Sequence, residues 1–170
     1  PGKRTVTAPD VTLANRIAAD LGTPIVPTDS GPQTLRDAAK LDHDPTIQRR
    51  YLPSYDITDL QAVKIAVAPR LQTRRGAERA RNTAREHTIQ VAPHWAAAHK
   101  PDGQIIDARV DTFLELMEAI HDAITYTIRI ADGATFTWIA TSTDPLYDPQ
   151  LLQSPGVLRG VITATYKRIT

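Results

Sequence analysis

His94 and His99 are two histidines whose spacing invites comparison with a metal site. On a helix, a five-residue spacing places two side chains about 140° apart, so this pair does not match the helical HExxH arrangement of zinc enzymes. The chain also has no cysteine that would complete a zinc site. His43 and His87 stand alone, and His121 is predicted at the boundary of an apolar helix face. We therefore predict no metal site and no bound cofactor.

Asp144 and Asp148, within the segment 144–149 (DPLYDP), are the candidate acid–base pair. Two convergent carboxylates in different environments can act as general acid and general base. Asp-Pro steps, however, also begin turns, because the aspartate accepts local N–H groups while proline fixes φ. The sequence has no GxSxG, P-loop or GxGxxG motif. We predict turn structure, no catalytic residue and no enzymatic activity, with a small hydrolase as the weakest alternative.

An arginine-rich segment, residues 70–86 (RLQTRRGAERARNTARE), separates two strand-like runs and is called the arm below. Its arginines are Arg70, Arg74, Arg75, Arg79, Arg81 and Arg85. They suit phosphate binding with a steep salt dependence, bidentate pairing with an acidic neighbouring subunit, or simple solvation. The arm has no aromatic residue, although proteins that bind single strands usually stack bases on aromatic rings. Phosphate binding and an assembly contact therefore both stay open.

Apolar patterns predict an α+β fold around these residues. Large apolar side chains recur at helical spacing in Val11–Leu21 and Asp107–Thr127, which predicts two helices. Strands are predicted at Ile47–Leu52, Val63–Pro69, His87–Pro93, Thr135–Thr141 and Val157–Arg168, the last with a bulge at Gly160. The order αβββαββ indicates a mostly antiparallel sheet with helices packed on one face. The arm then forms a long basic hairpin, residues 70–86, between the second and third strands.

The chain is predicted to form a single domain, residues 1–170, with one irregular Pro-rich connection. That connection, residues 23–45, contains four prolines and a glycine, and fixed φ angles oppose a central strand. A short helix at Thr34–Leu41 fits within it. We expect poor hydrogen-exchange protection along this connection.

Composition narrows the classes of function. Hydrophobic residues make up 41% of the chain and aromatic residues only 5%, so aliphatic side chains must fill the core. The formal net charge is +1, so any attraction for an anion must be local. No apolar run approaches the roughly 18–20 residues that span a bilayer, and no signal-like segment opens the chain. We expect a soluble protein with no membrane partner.

Short motifs in the C-terminal two thirds resemble a known family. The first is Arg50–Asp56 (RYLPSYD), followed by the strand Val63–Pro69; the second is the segment 144–149, followed by Val161–Tyr166 (VITATY). Together they resemble the small neck and tail-completion proteins of long-tailed phages and prophages, and more specifically the tail terminators, over roughly residues 46–170. The motif residues are Tyr51, Pro53, Tyr55, Asp144, Pro145, Tyr147, Asp148 and Pro149.

This resemblance implies a structural role in virions. Tail terminators are small α+β proteins that form a closed, usually hexameric ring, which caps the tail tube and offers a surface to the head. The implied partners are further copies of the chain, the tail-tube protein, head–tail connector or neck proteins, and DNA passing through the lumen. The implied location is the virion, and the host cytoplasm during assembly. The alternatives are a nucleic-acid-binding module that uses the arm and another connector or neck protein.

Overall fold

The fold comes from a computed structural model that describes residues 8–24, 31–51, 53–75, 84–125 and 128–169. The helices are α1 (Pro9–Leu21), α2 (Leu35–Ala39), α3 (Asp107–Ile124) and α4 (Pro149–Gln153), with a 3-10 helix at Ile57–Gln61. The strands are β1 (Thr46–Arg49), β2 (Lys64–Arg75), β3 (Ala84–Ala96), β4 (Ile128–Ala131), β5 (Ala134–Thr143), β6 (Val157–Arg159) and β7 (Ile162–Ile169). In this part of the chain, no helix is long and apolar enough to cross a membrane.

The strands form one mixed sheet in the order β1-β2-β3-β7-β5-β4, with β6 also paired to β3. The β1–β2 pair is parallel, and the other pairs are antiparallel. The predicted α+β class and the predicted antiparallel pairing of the second and third strands are therefore confirmed. Packing of all helices on one face stays a prediction.

The observed element order is richer than αβββαββ. The short helix α4 and the short strand β4 are added, and α2 lies within the predicted short helix Thr34–Leu41. The last predicted strand is divided at Gly160, where we expected a bulge, into β6 and β7. A Cβ atom at Gly160 would overlap the Met117 side chain and lie 2.6 Å from the Leu146 carbonyl oxygen. Glycine is required at the break because the backbone passes too close to α3 and to a loop for any larger residue.

The core joins the two long helices to the sheet. Leu13 and Ile17 of α1 and Phe113 and Met117 of α3 belong to one buried cluster together with the inward side chains of the central strands. These helical residues are at most 1% exposed. Burial of each large apolar side chain stabilises the fold by about 1.5–3 kcal/mol. The apolar periodicity that predicted both helices is thus the periodicity of the buried core.

The Pro-rich connection, residues 23–45, is not irregular throughout. Thr34 caps α2 by accepting a hydrogen bond from the Asp37 N–H at 3.2 Å, and Leu35 and Ala39 are buried in the core. This burial favours slower hydrogen exchange at α2 than in the rest of the connection, and the poor protection expected for the connection stays a prediction. Residues 25–30 of the connection lie outside the described residues.

A buried ionic network holds β4 against α1 and β7. Arg129, which is 3% exposed, donates to Asp20 Oδ2 of α1 at 2.9 Å and to the Tyr166 hydroxyl of β7 at 2.5 Å. The Tyr166 hydroxyl in turn donates to the Ile124 carbonyl oxygen at 2.8 Å. Because neighbouring residues of a strand point to opposite faces, fixing Arg129 inward turns Ile128 and Ile130 outward.

Candidate functional site

The arm is more regular than the sequence indicated. β2 continues to Arg75 and β3 begins at Ala84, with residues Leu71 to Arg75 paired to Thr88 to Ala84. Arg70 stands at an irregularity in this register, and its Nε donates to Gln90 Oε1 at 2.6 Å. The described ends of the arm, residues 71–75 and 84–86, therefore continue strands β2 and β3. Residues 76–83, with Arg79 and Arg81, lie outside the described residues.

Three arginines form a row across the sheet, which we call the arginine row: Arg74, Arg85 and Arg168. Arg74 of β2 is the register partner of Arg85 of β3, and Arg85 is the partner of Arg168 of β7. Like charges directly opposite each other destabilise a strand pair. The Nε atom of Arg85 is buried and has no hydrogen-bond partner. The row therefore places three arginines at paired positions. The described part of the chain provides no acceptor for the Nε of Arg85.

His87 lies next to the row on the same side of β3, because residues two apart on a strand share a face. It is fully buried, and its Nδ1 lies 2.5 Å from Asp10 Oδ1 in the first turn of α1. The ring of Phe136 meets it edge-on, with centroids 5.4 Å apart. His87 therefore links α1 to the sheet.

The two halves of the family-like motif meet at the β3–β6 pair. From the first half, the Tyr55 ring contacts the His94 ring edge-on at 5.2 Å. From the second half, the Asp148 N–H donates to the carbonyl oxygen of Arg159 at 3.0 Å, and Arg159 is the register partner of His94. Tyr51 instead accepts from Arg49 Nη1 at 2.7 Å and is exposed. The structure thus brings Tyr55 and the 144–149 segment to neighbouring strands.

Within the second half, both aspartates have structural roles. Asp148 Oδ1 caps α4 by accepting from the N–H groups of Gln150 at 2.9 Å and Leu151 at 3.3 Å, and Pro149 is the first residue of that helix. The backbone of Asp144 and Pro145 exchanges hydrogen bonds with Val161, each at 3.0 Å. Two further motif residues are partly covered. Pro53 is half-buried, and Tyr147 packs against the core. Asp148 accepts local N–H groups as expected, but the segment that it begins is the short helix α4.

The two histidines considered as metal ligands, His94 and His99, lie in different environments. His94 is buried, with Nδ1 3.0 Å from the Ala92 carbonyl oxygen, whereas His99 is exposed. Burial, and then the positive charge of Arg159, lower the pKa of His94 to about 4. Among the described residues, no group of three or more His, Asp or Glu side chains is arranged to hold a metal ion. The prediction that the protein needs no metal stays a prediction.

The buried His94 predicts an acid-dependent loss of stability. Its pKa is about 4 in the folded chain against 6.5 for an unperturbed histidine, so the unfolded state binds more protons between these pH values. The contribution of the neutral, buried His94 to the free energy of unfolding is complete above pH 6.5. It is lost as the pH falls toward 4, by an amount on the order of 3 kcal/mol. We expect His94→Gln to flatten the dependence of the free energy of unfolding on pH in this window.

Urea unfolding at a series of pH values measures this dependence. His99→Gln is the matched control, because it removes an exposed histidine that follows β3 and should leave the acid-dependent loss in place. An identical pH profile for His94→Gln and the unsubstituted chain would contradict the assignment.

An acidic groove runs along the outer side of α3. Its carboxylates are Asp111, Glu115, Glu118 and Asp122, all exposed. Spacings of four, three and four residues place them in one stripe. The groove has a volume of about 660 Å³ and also includes Leu114, Ala119 and the half-exposed Leu146, with Gln33, Ala38 and Lys40 on the α2 side. We call these residues the acidic groove.

The edge of the sheet at β4 carries exposed isoleucines. Ile128 is 67% exposed and Ile130 64% exposed, and among the described strands β4 pairs only with β5. Ile139 of β5 is also exposed. An open strand edge with apolar side chains is a surface on which other chains assemble.

Three of these features are not among the predictions from the sequence. Arg168 was assigned only to a strand, because its position beside Arg85 depends on the register of β7 with β3. The helical spacing of the carboxylates indicates the acidic stripe of α3, but the helix is predicted from its apolar stripe alone. The β4 edge was missed because Ile128–Ala131 is only four residues long.

Comparison with known proteins provides no family for this arrangement. No protein-family model matches the chain, and no curated protein matches it.

Proposed function

We propose that this chain is a non-enzymatic phage virion assembly protein, and specifically a tail terminator. In this role, its copies form a homo-hexameric ring that caps the tail tube and joins it to the head-proximal neck. The partners are other copies of the chain, the tail-tube protein and the connector or neck proteins, with DNA passing through the lumen. The ring is a part of the virion and assembles in the host cytoplasm.

The exposed β4 edge is the observation that carries this proposal. Ile128 and Ile130 are about two-thirds exposed on a terminal strand, and a monomer gains nothing from such an edge. In a closed ring, each subunit uses two different surfaces to contact its neighbours. The proposal also includes the expectation that the helices pack on one face of the sheet.

A nucleic-acid-binding module is the second candidate, and the arginine row favours it. Arginines at paired positions of three adjacent strands suit phosphate groups as well as carboxylates. Against this candidate, the acidic groove would repel nucleic acid, and the formal net charge of the chain is only +1. Another head–tail connector or neck protein is the closest variant of the lead proposal.

Reversing the charge of the arm separates these candidates. Arg74→Glu/Arg75→Glu changes two residues at the end of β2. We expect the variant to stay folded and to lose self-association, because glutamates at these positions are repelled by an acidic neighbour. Arg36→Glu/Lys100→Glu, which reverses two exposed cations outside the arm, is the matched control and should assemble normally.

Sedimentation and an electrophoretic shift with duplex DNA at low and moderate salt measure the two properties. Loss of assembly in the arm variant, with the control intact, supports the lead proposal. Intact assembly, with loss of a salt-sensitive DNA shift only, would transfer the arm to the nucleic-acid alternative.

A further inference from the structure

The acidic groove holds carboxylates without counter-charges. Among the described residues, Asp111, Glu115 and Glu118 form no ion pair, and Asp122 meets only the adjacent His121, with 3.9 Å between Oδ1 and Nδ1. Like charges four residues apart on a helix destabilise it. Lys40 is the one cation among the residues that line the groove. The groove is therefore an unneutralised acidic surface in the isolated subunit.

The arginine row is the complementary surface of the same chain. Arg74, Arg85 and Arg168 oppose one another on adjacent strands, and both Arg85 and Arg168 are partly exposed. The buried Nε of Arg85 has no acceptor within the described chain. No ion pair joins the row to the groove within one subunit in the part of the chain that the structure describes.

The spacings of the two surfaces agree. Neighbouring strands lie about 4.8 Å apart, so the arginine row has steps of that length. On α3, a rise of about 1.5 Å per residue gives steps of about 4.5 Å from Glu115 to Glu118 and about 6 Å from Glu118 to Asp122. Guanidinium and carboxylate groups at matching steps can form several bidentate pairs. Leu114 and Leu146 supply apolar contact beside these pairs.

We infer that the acidic groove of one subunit binds the arginine row of the next copy of this chain. This inference rests on the proposed function, since it identifies a contact between ring subunits. The contact is heterologous, so each subunit offers its row to one neighbour and its groove to the other, and repetition closes a ring. A second copy suits the groove better than nucleic acid does, because the groove repels phosphates and the chain as a whole is almost neutral.

Disulfide trapping tests the contact directly, because the chain contains no native cysteine. One chain carries Arg74→Cys in the row, and a second carries Glu115→Cys in the groove. Mild oxidation of their mixture is expected to give a covalent dimer that neither chain gives alone. Gln153→Cys, at an exposed position of α4, replaces Glu115→Cys as the control and should give no such dimer with Arg74→Cys.

A charge swap provides a second, independent test. Arg74→Glu/Arg168→Glu and Glu115→Arg/Glu118→Arg should each weaken self-association at least about tenfold, since each places like charges across the contact. Mixing the two variants in equal amounts restores every contact in an alternating ring with an even number of subunits. Melting temperatures of the separate variants check that both are folded.

The outcomes distinguish this inference from the proposed function. An assembled oligomer that gives no Arg74–Glu115 disulfide, and no rescue on mixing, would overturn the contact while leaving the assembly function in place. A chain that stays monomeric at every concentration tested would overturn both. A disulfide that joins Arg74→Cys to Glu115→Cys but not to Gln153→Cys, together with rescue of assembly when the two charge variants are mixed, supports both the contact and the assembly function.

Discussion

Met117→Asp is expected to lower the free energy of unfolding by several kcal/mol. Met117 is 1% exposed and packs in the main core cluster of the helices and the sheet. An aspartate there would bury an unpaired carboxylate, which costs more than the lost packing alone. This is the largest stability effect that we expect from a single substitution in this chain.

Two controls separate the buried charge from other effects of the substitution. Met117→Leu conserves volume and polarity and should cost less than about 1.5 kcal/mol. Ala108→Asp introduces the same carboxylate at an exposed position in the first turn of α3 and should change stability by at most about 0.5 kcal/mol. A melting temperature of Met117→Asp equal to that of Ala108→Asp would show that α3 does not pack on the sheet through this face.

Ile128→Lys/Ile130→Lys is expected to abolish self-association while leaving the subunit folded. Both side chains point away from the core on the terminal strand β4, so the lysines are solvated in the monomer. In an assembly, two charges would have to be buried at an apolar contact, and lysines on edge strands prevent edge pairing. The lost affinity should exceed the effect of any single exposed substitution elsewhere.

Light scattering coupled to size exclusion measures this loss. Gln104→Lys/Gln153→Lys adds the same charge at two exposed positions far from β4 in the sequence, and should keep the oligomeric state of the unsubstituted chain. If the β4 variant assembles like this control, the exposed isoleucines are not part of a subunit contact.

The long elements of the fold were predictable from the sequence because their patterns have a direct physical origin. The apolar stripe of Asp107–Thr127 predicted α3, which ends at Ile124, and alternation predicted the β2–β3 pair. The paired strands proved longer than their apolar cores. Polar residues such as Gln72 and Thr88 continue the ladder because neighbouring strands satisfy their backbone groups, which an alternation of apolar residues does not reveal.

Short elements and long-range register were less predictable. α4 begins directly after the predicted turn and depends on the cap by Asp148, which apolar periodicity does not reveal. α2 lies within the predicted short helix Thr34–Leu41, but the burial of Leu35 and Ala39 does not follow from so short a pattern. The arginine row depends on the pairing of β3 with β7, whose residues are far apart in the sequence, as Arg85 and Arg168 show. Composition marks the arm as basic but says nothing of which strand lies beside it.

The mass of the unsubstituted chain in solution tests the central claim most directly. Native mass spectrometry over a range of protein concentrations, at low salt, should detect a closed oligomer with a mass six times that of the 18.7 kDa chain. Negative-stain images of the same sample should show rings with a central hole. A single species of 18.7 kDa at every concentration, with no ring in the images, would contradict the proposal that this chain is a self-assembling ring subunit.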